Sequence, residues 1–415
     1  MRRITHVCLI LILCCSLLAG CTAGANAADL MEGVKRQEGV QDLVHGEEYA
    51  SVLSEFAVKL FKSSYKEGEN QLISPLSVML AIGMTANGAK GETLSQFESA
   101  FGVSVETLDQ YLYNYMDYVT KKGEYCSLKL ADSIWISEQF KNVNKDFLQK
   151  NADFYDADIY RRKFDESALK EINQWVNEKT DGMIPQILDR IDKNTQMILI
   201  NALSFDAVWT EAYNEVAVRE GIFTKEDGTE KKVEFMSSSE FRYIEAENVT
   251  GFIKSYKGGK YAFAALLPKE GISISDYVSS LEGNTLADLI ASAKNEKVLT
   301  KIPKFSFDYT VEMAEPLKKL GITDAFDPGE ADFSGIQTGT ENDRELFIDR
   351  VLHKTNICVD EQGTKAGAAT IVYMKDGSSL NPTEPYRVYL DRPFVFMLID
   401  TYSNVPFFIG TVMEV

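Results

Sequence analysis

The chain has 415 residues, 45% hydrophobic and 11% aromatic, enough to bury a sizeable core in one large domain or two ordinary ones, which excludes general disorder. A formal net charge of −19 at pH 7 argues against nucleic acid or an anionic membrane surface as an electrostatic partner. It says more about solubility than about function.

Arg2-Arg3, an apolar run from Val7 to Leu18 and then Leu18-Ala19-Gly20-Cys21 resemble a bacterial lipoprotein signal with its lipobox. The run is too short for a comfortable membrane span, and the small residues before Cys21 suit a peptidase. The expectation is a signal over 1–20 and lipidation of Cys21 as the mature N-terminus, with two or more acyl chains giving a stable membrane anchor. An ordinary signal with a chance cysteine is the plainer alternative. Residues 21–45, rich in Ala, Gly, Gln and charge, read as a flexible tether. Cys8, Cys14 and Cys15 leave with the signal, so Cys126 and Cys358 remain in the folded part. They form one bridge or, the favoured reading, two separate buried thiols; neither sits in a metal-spaced pair.

From Glu47 to about Lys62, Tyr49, Val52, Leu53, Phe56, Leu60 and Phe61 recur at helical spacing. A second helix starts at Ser74-Pro75, with Ser74 suited to its cap and Pro75 to its first turn. Leu108 to Val119 carries Tyr111, Tyr113, Tyr115 and Tyr118, for which partial burial on a helix is expected rather than a ligand-stacking face. Leu128 to Ser137 alternates well enough for a strand, and Met197 to Trp209 reads as a buried strand. Between about 222 and 268, strand-like runs alternate with turn signals at Asp227-Gly228, Lys257-Gly258-Gly259 and Leu267-Pro268, which suggests an antiparallel meander. Ile274 to Ala293 is helical in pattern. Arg392 to Ile399 and Pro406 to Gly410 read as two buried strands. No internal repeat and no second domain stand out, so 46–415 is expected to be a single domain.

One run near the C-terminal end behaves differently. Val359 to Ser379 begins with small, weakly polar residues and ends in Asp376-Gly377-Ser378-Ser379, which favour turns. Yet Thr364, Ala366, Ala368, Thr370, Val372 and Met374 would share one face of a strand, none is charged, and no Pro occurs before Pro382. The stretch is a loop that could also be a strand.

Glu361-Gln362-Gly363-Thr364-Lys365-Ala366-Gly367-Ala368-Ala369-Thr370 resembles the reactive-loop hinge of inhibitory serpins, which runs acidic, any, Gly, Thr, acidic, then small residues to Thr. Lys365 departs from the usual acidic residue, but it would lie on the opposite strand face from Thr364. Gly367 replaces the commoner Ala at a cost of roughly 0.5–1 kcal/mol in strand stability. Further resemblances follow in the family's order. Asn70 to Leu80 is similar to the central helix whose serines, Ser74 and Ser77, border the "shutter" of the main sheet. Gly83 to Gly102 is similar to the turn and short helix that follow, Ala131 to Ile136 and Met197 to Trp209 to main-sheet strands, and Ile172 through Pro185 to the helix lying across that sheet, with Asn201 at the shutter and Trp209 at the "breach" where insertion begins. Asp206-Ala207-Val208 departs from the family's usual Lys-Gly-Lys there. His353 matches the shutter histidine, hydrogen-bonded to a neighbour such as Asn201. The resemblance covers about 46–415 and implies an α+β serpin fold: about three β-sheets with a large central mixed sheet, eight to nine helices, and an exposed reactive loop over about 361–390.

A Ser-His-Asp or Cys-His hydrolase needs a histidine base beside its nucleophile, and the mature chain offers only His45, in the tether, and His353. Zinc spacing, phosphate loop and dinucleotide fingerprint are all missing, so a surface hydrolase is a remote reading and no cofactor is expected. A serpin-fold protein that has lost inhibition would carry a charge or Pro on the inserting face of the hinge; Thr364, Ala366, Ala368 and Thr370 present neither obstacle. The resemblance thus implies a monomeric suicide substrate of a serine (or cysteine) protease. The loop is cut, an acyl-enzyme forms, and the freed segment inserts into the main sheet and carries the protease to the far pole. Counting the family's spacing from Glu361 puts the cut at Gly377–Ser378, bait for an elastase-like pocket. A strand from Thr364 to Gly377 reaches about 46 Å at ~3.3 Å per residue, against about 36 Å to Met374, which favours the longer count. Lys375–Asp376 ranks second and suits a trypsin-like enzyme; Met374–Lys375 ranks third and suits chymotrypsin- or subtilisin-like ones. The corresponding helix binds polyanions in some vertebrate serpins, but only Lys121 and Lys122 stand near it here, so no polyanion partner is predicted.

Overall fold

The structure, a computed structural model, describes residues 28–42, 46–121, 123–337, 346–364 and 384–415. Strand β1 (Ala28–Asp29) and helix α1 (Gly46–Ser64) precede β2 (Gln71–Ile73), α2 (Pro75–Ala86), α3 (Gly91–Phe101) and α4 (Val105–Val119). Then come β3 (Cys126–Ser137), α5 (Lys145–Phe154), β4 (Asp158–Arg162), α6 (Glu166–Lys179) and β5 (Met197–Val208). A run of strands follows: β6 (Val218–Thr224), β7 (Glu230–Glu240), β8 (Tyr243–Glu245), β9 (Val249–Ser255) and β10 (Tyr261–Pro268). After α7 (Ile274–Ser280) and α8 (Gly283–Ala291) lie β11 (Val298–Pro303), β12 (Phe305–Glu312) and α9 (Ala314–Lys319). The chain ends with β13 (Arg350–Val359), β14 (Gly363–Thr364), β15 (Tyr386–Tyr389), β16 (Phe394–Asp400) and β17 (Pro406–Val412).

Among the described residues these make nine α-helices and three sheets, an α+β arrangement. The largest sheet has the order β1-β4-β3-β5-β14-β13-β12 and is mixed, with β3–β4 and β5–β13 parallel. A six-stranded sheet, β2-β17-β16-β10-β9-β8, is antiparallel and carries the continuous apolar runs of β10, β16 and β17, every residue of which is buried. Runs that apolar need cover on both faces. The third sheet is β15-β11-β7-β6.

The large sheet separates two cores, and the period of two along β5 assigns its side chains to them. Leu199, Leu203, Phe205 and Ala207 join the main core with α2, whereas Ile198, Ile200 and Ala202 meet Ile172, Trp175 and Val176 of α6 on the other face. Helix α2 is buried along its whole length, which its lack of any charged residue permits. Ser74 caps it by accepting the Ser77 N–H at 3.2 Å, and Pro75 occupies its first turn.

Several expectations need correction. Residues 28–42 are docked, so the folded unit includes chain ahead of residue 46, from Ala28 among the described residues. β1 adds antiparallel to the outer edge of β4, Leu30, Met31 and Val34 pack on the main core, and the Gln37 N–H reaches Asp153 Oδ1 at 2.7 Å. Three apolar residues in a polar stretch were enough to dock it, a signal that average composition hides. The helical pattern over Ile274 to Ala293 is broken: Leu281 is extended, and α8 restarts at Gly283 where it crosses α1. The helix across the sheet stops at Lys179, ahead of the left-handed pair Asp181 and Gly182, well short of Pro185. The expected meander is split, with β6 and β7 in the third sheet and β8 to β10 in the second. The expected loop gives way to strand at Tyr386, which pairs with Val298 of β11.

A Cβ on Gly283 would fall 2.3 Å from Glu55 Cα and 2.7 Å from Glu55 N, with backbone that has nowhere to move. Gly283→Ala is therefore expected to cost about 1–3 kcal/mol through overpacking, read as a lower thermal midpoint.

Candidate functional site

The decisive feature is the seam between β5 and β13. These strands pair in parallel from Ile198↔Arg350 to Leu203↔Thr355. Beyond that level they part, and β14 lies between them, antiparallel to both: Gly363↔Val208 and Thr364↔Ala207 on one side, Thr364↔Val359 on the other. The turn that delivers β14 is held by Asp360, whose Oδ1 accepts the N–H groups of Gln362 at 2.8 Å and Gly363 at 3.2 Å. A Cβ at Gly363 would fall 2.0 Å from the Ala207 carbonyl oxygen, so only glycine fits. Thr364 is buried, and its hydroxyl hydrogen-bonds the Tyr256 hydroxyl.

Trp209 closes the top of the seam. Its backbone N–H donates to the Gln362 carbonyl at 2.8 Å, and its indole N–H donates to the Asp360 carbonyl at 2.9 Å. Its ring stacks on Tyr256 with centroids 4.4 Å apart. Lys254, buried and 5.4 Å from the Trp209 ring centroid, pairs with the part-buried Glu240 at 2.8 Å, its ammonium 4.6 Å from the Tyr213 ring centroid. Burial works against the Lys254 charge, but Tyr213 and Glu240 outweigh it and leave its pKa above the ordinary value. Glu361 is tied to Lys304 at 2.8 Å, and Lys304 also reaches Glu234 at 3.2 Å.

Lower down, a polar network sits under the seam on the α2 side. Asp132, Asn201 and His353 are register partners across β3, β5 and β13. The Ser74 N–H donates to His353 Nε2 at 2.9 Å, so the ring's other nitrogen, Nδ1, carries the proton and donates to Asn201 Oδ1. The Ser77 hydroxyl donates to Asp132 Oδ1 at 3.1 Å. Burial pushes the Asp132 carboxyl well above the usual carboxylate range and pulls the His353 imidazole down to about 3. Both nitrogens of this fully buried ring are engaged, so it has no free lone pair with which to activate a nucleophile.

A family profile described as "Serpin (serine protease inhibitor)" matches residues 51–415. The chain belongs to the serpin family. It is 30% identical over 383 residues to leukocyte elastase inhibitor A of Mus musculus, spanning 88% of this chain and 99% of that one. An uncharacterized serpin-like protein of Thermococcus kodakarensis is 27% identical over 370 residues, covering 88% and 85%. Among solved structures, the thermophilic serpin tengpin in its native state is similar with a TM-score of 0.88 and 45% identity, over 94% of this chain and all of that one.

In this serpin, Ser74, Ser77, Asn201 and His353 come together beneath the seam, while Trp209, Glu361, Gly363 and Thr364 meet at its top. The remaining hinge residues Ala366, Ala368, Ala369 and Thr370, the bond candidates Met374, Lys375, Asp376, Gly377 and Ser378, and Cys21 and His45 lie outside the described residues. Cys126 and Cys358 are free thiols on β3 and β13, with β5 and β14 running between them. Sequence reasoning missed Asp132, Tyr256, Lys304 and the Lys254–Glu240 pair. Only Asp132 left a visible trace, as the one charged residue in the largely apolar stretch Leu130-Ala131-Asp132-Ser133-Ile134-Trp135.

The depressed pKa of His353 sets a sign. Unfolded chains take up a proton below about pH 6.5 that the folded ring refuses until about 3, so stability is lost as pH falls through that window and is unaffected above it. Relative to His353→Gln, the wild-type protein should lose about 1.4 kcal/mol per pH unit below 6.5. Urea midpoints of both proteins at pH 7.5 and pH 5 check this; a gap that ignores pH contradicts a neutral buried imidazole.

Proposed function

We propose that this serpin is a suicide-substrate inhibitor of a serine protease, held at the cell surface by lipid on Cys21. The observation that carries the reading is β14: the hinge already lies in the seam, antiparallel to both walls, with Thr364 buried and Gly363 flush against β5. Cleavage beyond the hinge frees the following residues to continue the same strand downward, each adding backbone hydrogen bonds on two sides. The chemistry is the protease's own, since acylation of its serine cuts the loop. Insertion then moves the acyl-enzyme away before water releases it. The likeness to a leukocyte elastase inhibitor and the glycine of Gly377–Ser378 favour an elastase-like target, with trypsin-like cleavage at Lys375–Asp376 and subtilisin-like cleavage at Met374–Lys375 next. The lipobox ending at Cys21 supports anchoring.

A panel of elastase-, subtilisin-, trypsin-like and cysteine proteases tests the reading. An SDS-resistant complex is expected with at least one, and the N-terminal sequence of the released C-terminal peptide names the bond. Clean cleavage throughout, with no complex, would make the protein a substrate or binding module on the same fold. Thr364→Arg places a charge where the hinge enters the sheet, and should turn complex formation into turnover. Loop-cleaved wild-type protein should melt well above the intact form, which differential scanning fluorimetry reads directly.

A further inference from the structure

The docked segment ahead of α1 joins the large sheet at a particular height. β3 runs from Cys126, level with Ala207 and thus with Thr364, down to Ile136, level with Met197. Ala28 pairs with Arg161, which is level with Ile136, and Asp29 pairs with Tyr160, one step nearer the hinge. The chain therefore enters at the pole opposite the hinge and climbs. Ten residue steps of β5 separate the two levels, about 33 Å at ~3.3 Å per step.

Seven residue steps lie between Cys21 and Ala28. Whatever their conformation, they reach at most about 25 Å. Had the chain been free as far as α1, the same limit would be about 90 Å and would leave the body undirected.

We propose that this entry point orients the lipidated protein, holding the Met197–Ile136 pole next to the bilayer and pointing the hinge pole away from it. The proposal rests on the Cys21 anchoring given above and adds which end faces the lipid. Charge does not compete with it, because a strongly acidic body, more negative still once Arg2 and Arg3 leave with the signal, is repelled by an anionic surface rather than laid flat on it. A protease that engages the hinge pole then arrives from the medium rather than along the same bilayer.

The full-length lipidated protein, reconstituted into phosphatidylcholine vesicles with an acceptor dye on the headgroups, provides the test. Donor dyes are placed through Lys193→Cys, exposed four residues before Met197, and Glu211→Cys, exposed two residues after Trp209, each in a Cys126→Ala, Cys358→Ala background. Energy transfer is expected to be several-fold stronger from position 193 than from 211. With Leu30→Asp and Met31→Asp added, the strap undocks and the difference should collapse while the protein still floats with the vesicles. Equal transfer from both positions, or stronger transfer from 211, overturns the orientation and leaves anchoring intact. Failure to float overturns the anchoring, and the orientation with it, without touching the inhibitor reading.

Discussion

Two neighbouring strands that pair in parallel form the line on which this molecule depends. The parallel contact of β5 with β13 is slightly weaker per residue than an antiparallel one. The strands outside it are better matched: β3 pairs antiparallel with β5 almost end to end, and β12 does the same with β13. A strand slipped into the seam replaces one parallel interface with two antiparallel ones. The sheet is thus a stable pair of halves with an exchangeable middle, and β14 shows that the middle accepts chain from this protein itself.

What lies beneath the seam fits that view. A core built only for stability would satisfy its polar groups completely. Here Asn201 Nδ2 is buried without a hydrogen-bond partner among the described residues, a deficit of roughly 1–3 kcal/mol. Asp132, at the same level, accepts a single bond from Ser77. His353 spans the seam from Ser74 to Asn201 as a neutral ring, so parting the strands breaks hydrogen bonds without separating opposite charges. The second core, where Trp175 of α6 lies against Trp135 of β3 with centroids 6.4 Å apart, covers the opposite face of the same strands. Opening is restrained from both sides, by polar contacts below and apolar packing above.

The two ends of the seam are controlled by different physics. At the hinge, Trp209, Tyr256, Asp360 and Lys304 hold Glu361 to Thr364 through backbone hydrogen bonds, ring stacking and one ion pair. At the far pole the sheet's outer edge is capped by β1, which satisfies backbone groups of β4 that an edge strand would leave open to another chain.

Local rules carried much of this. Helical spacing placed α1, Ser74-Pro75 marked the start of α2, and unbroken apolar runs marked β5, β16 and β17, because each depends on residues a few positions apart. Where the pattern misled, a distant segment intervened: Glu55 of α1 broke the helix at Gly283, and the edge of β4 captured residues 28–42 from an otherwise polar stretch. The hinge motif was legible because glycine at 363 and small residues after it answer a backbone demand that any such strand makes. By itself the sequence determined that this chain is a serpin-like domain with a segment able to be loop or strand. The tertiary structure alone decided that Asp132, Asn201 and His353 share one level, that Tyr256 receives Thr364, and which pole the N-terminal segment enters. Those are matters of register between strands up to hundreds of residues apart, and no local periodicity encodes register at that range.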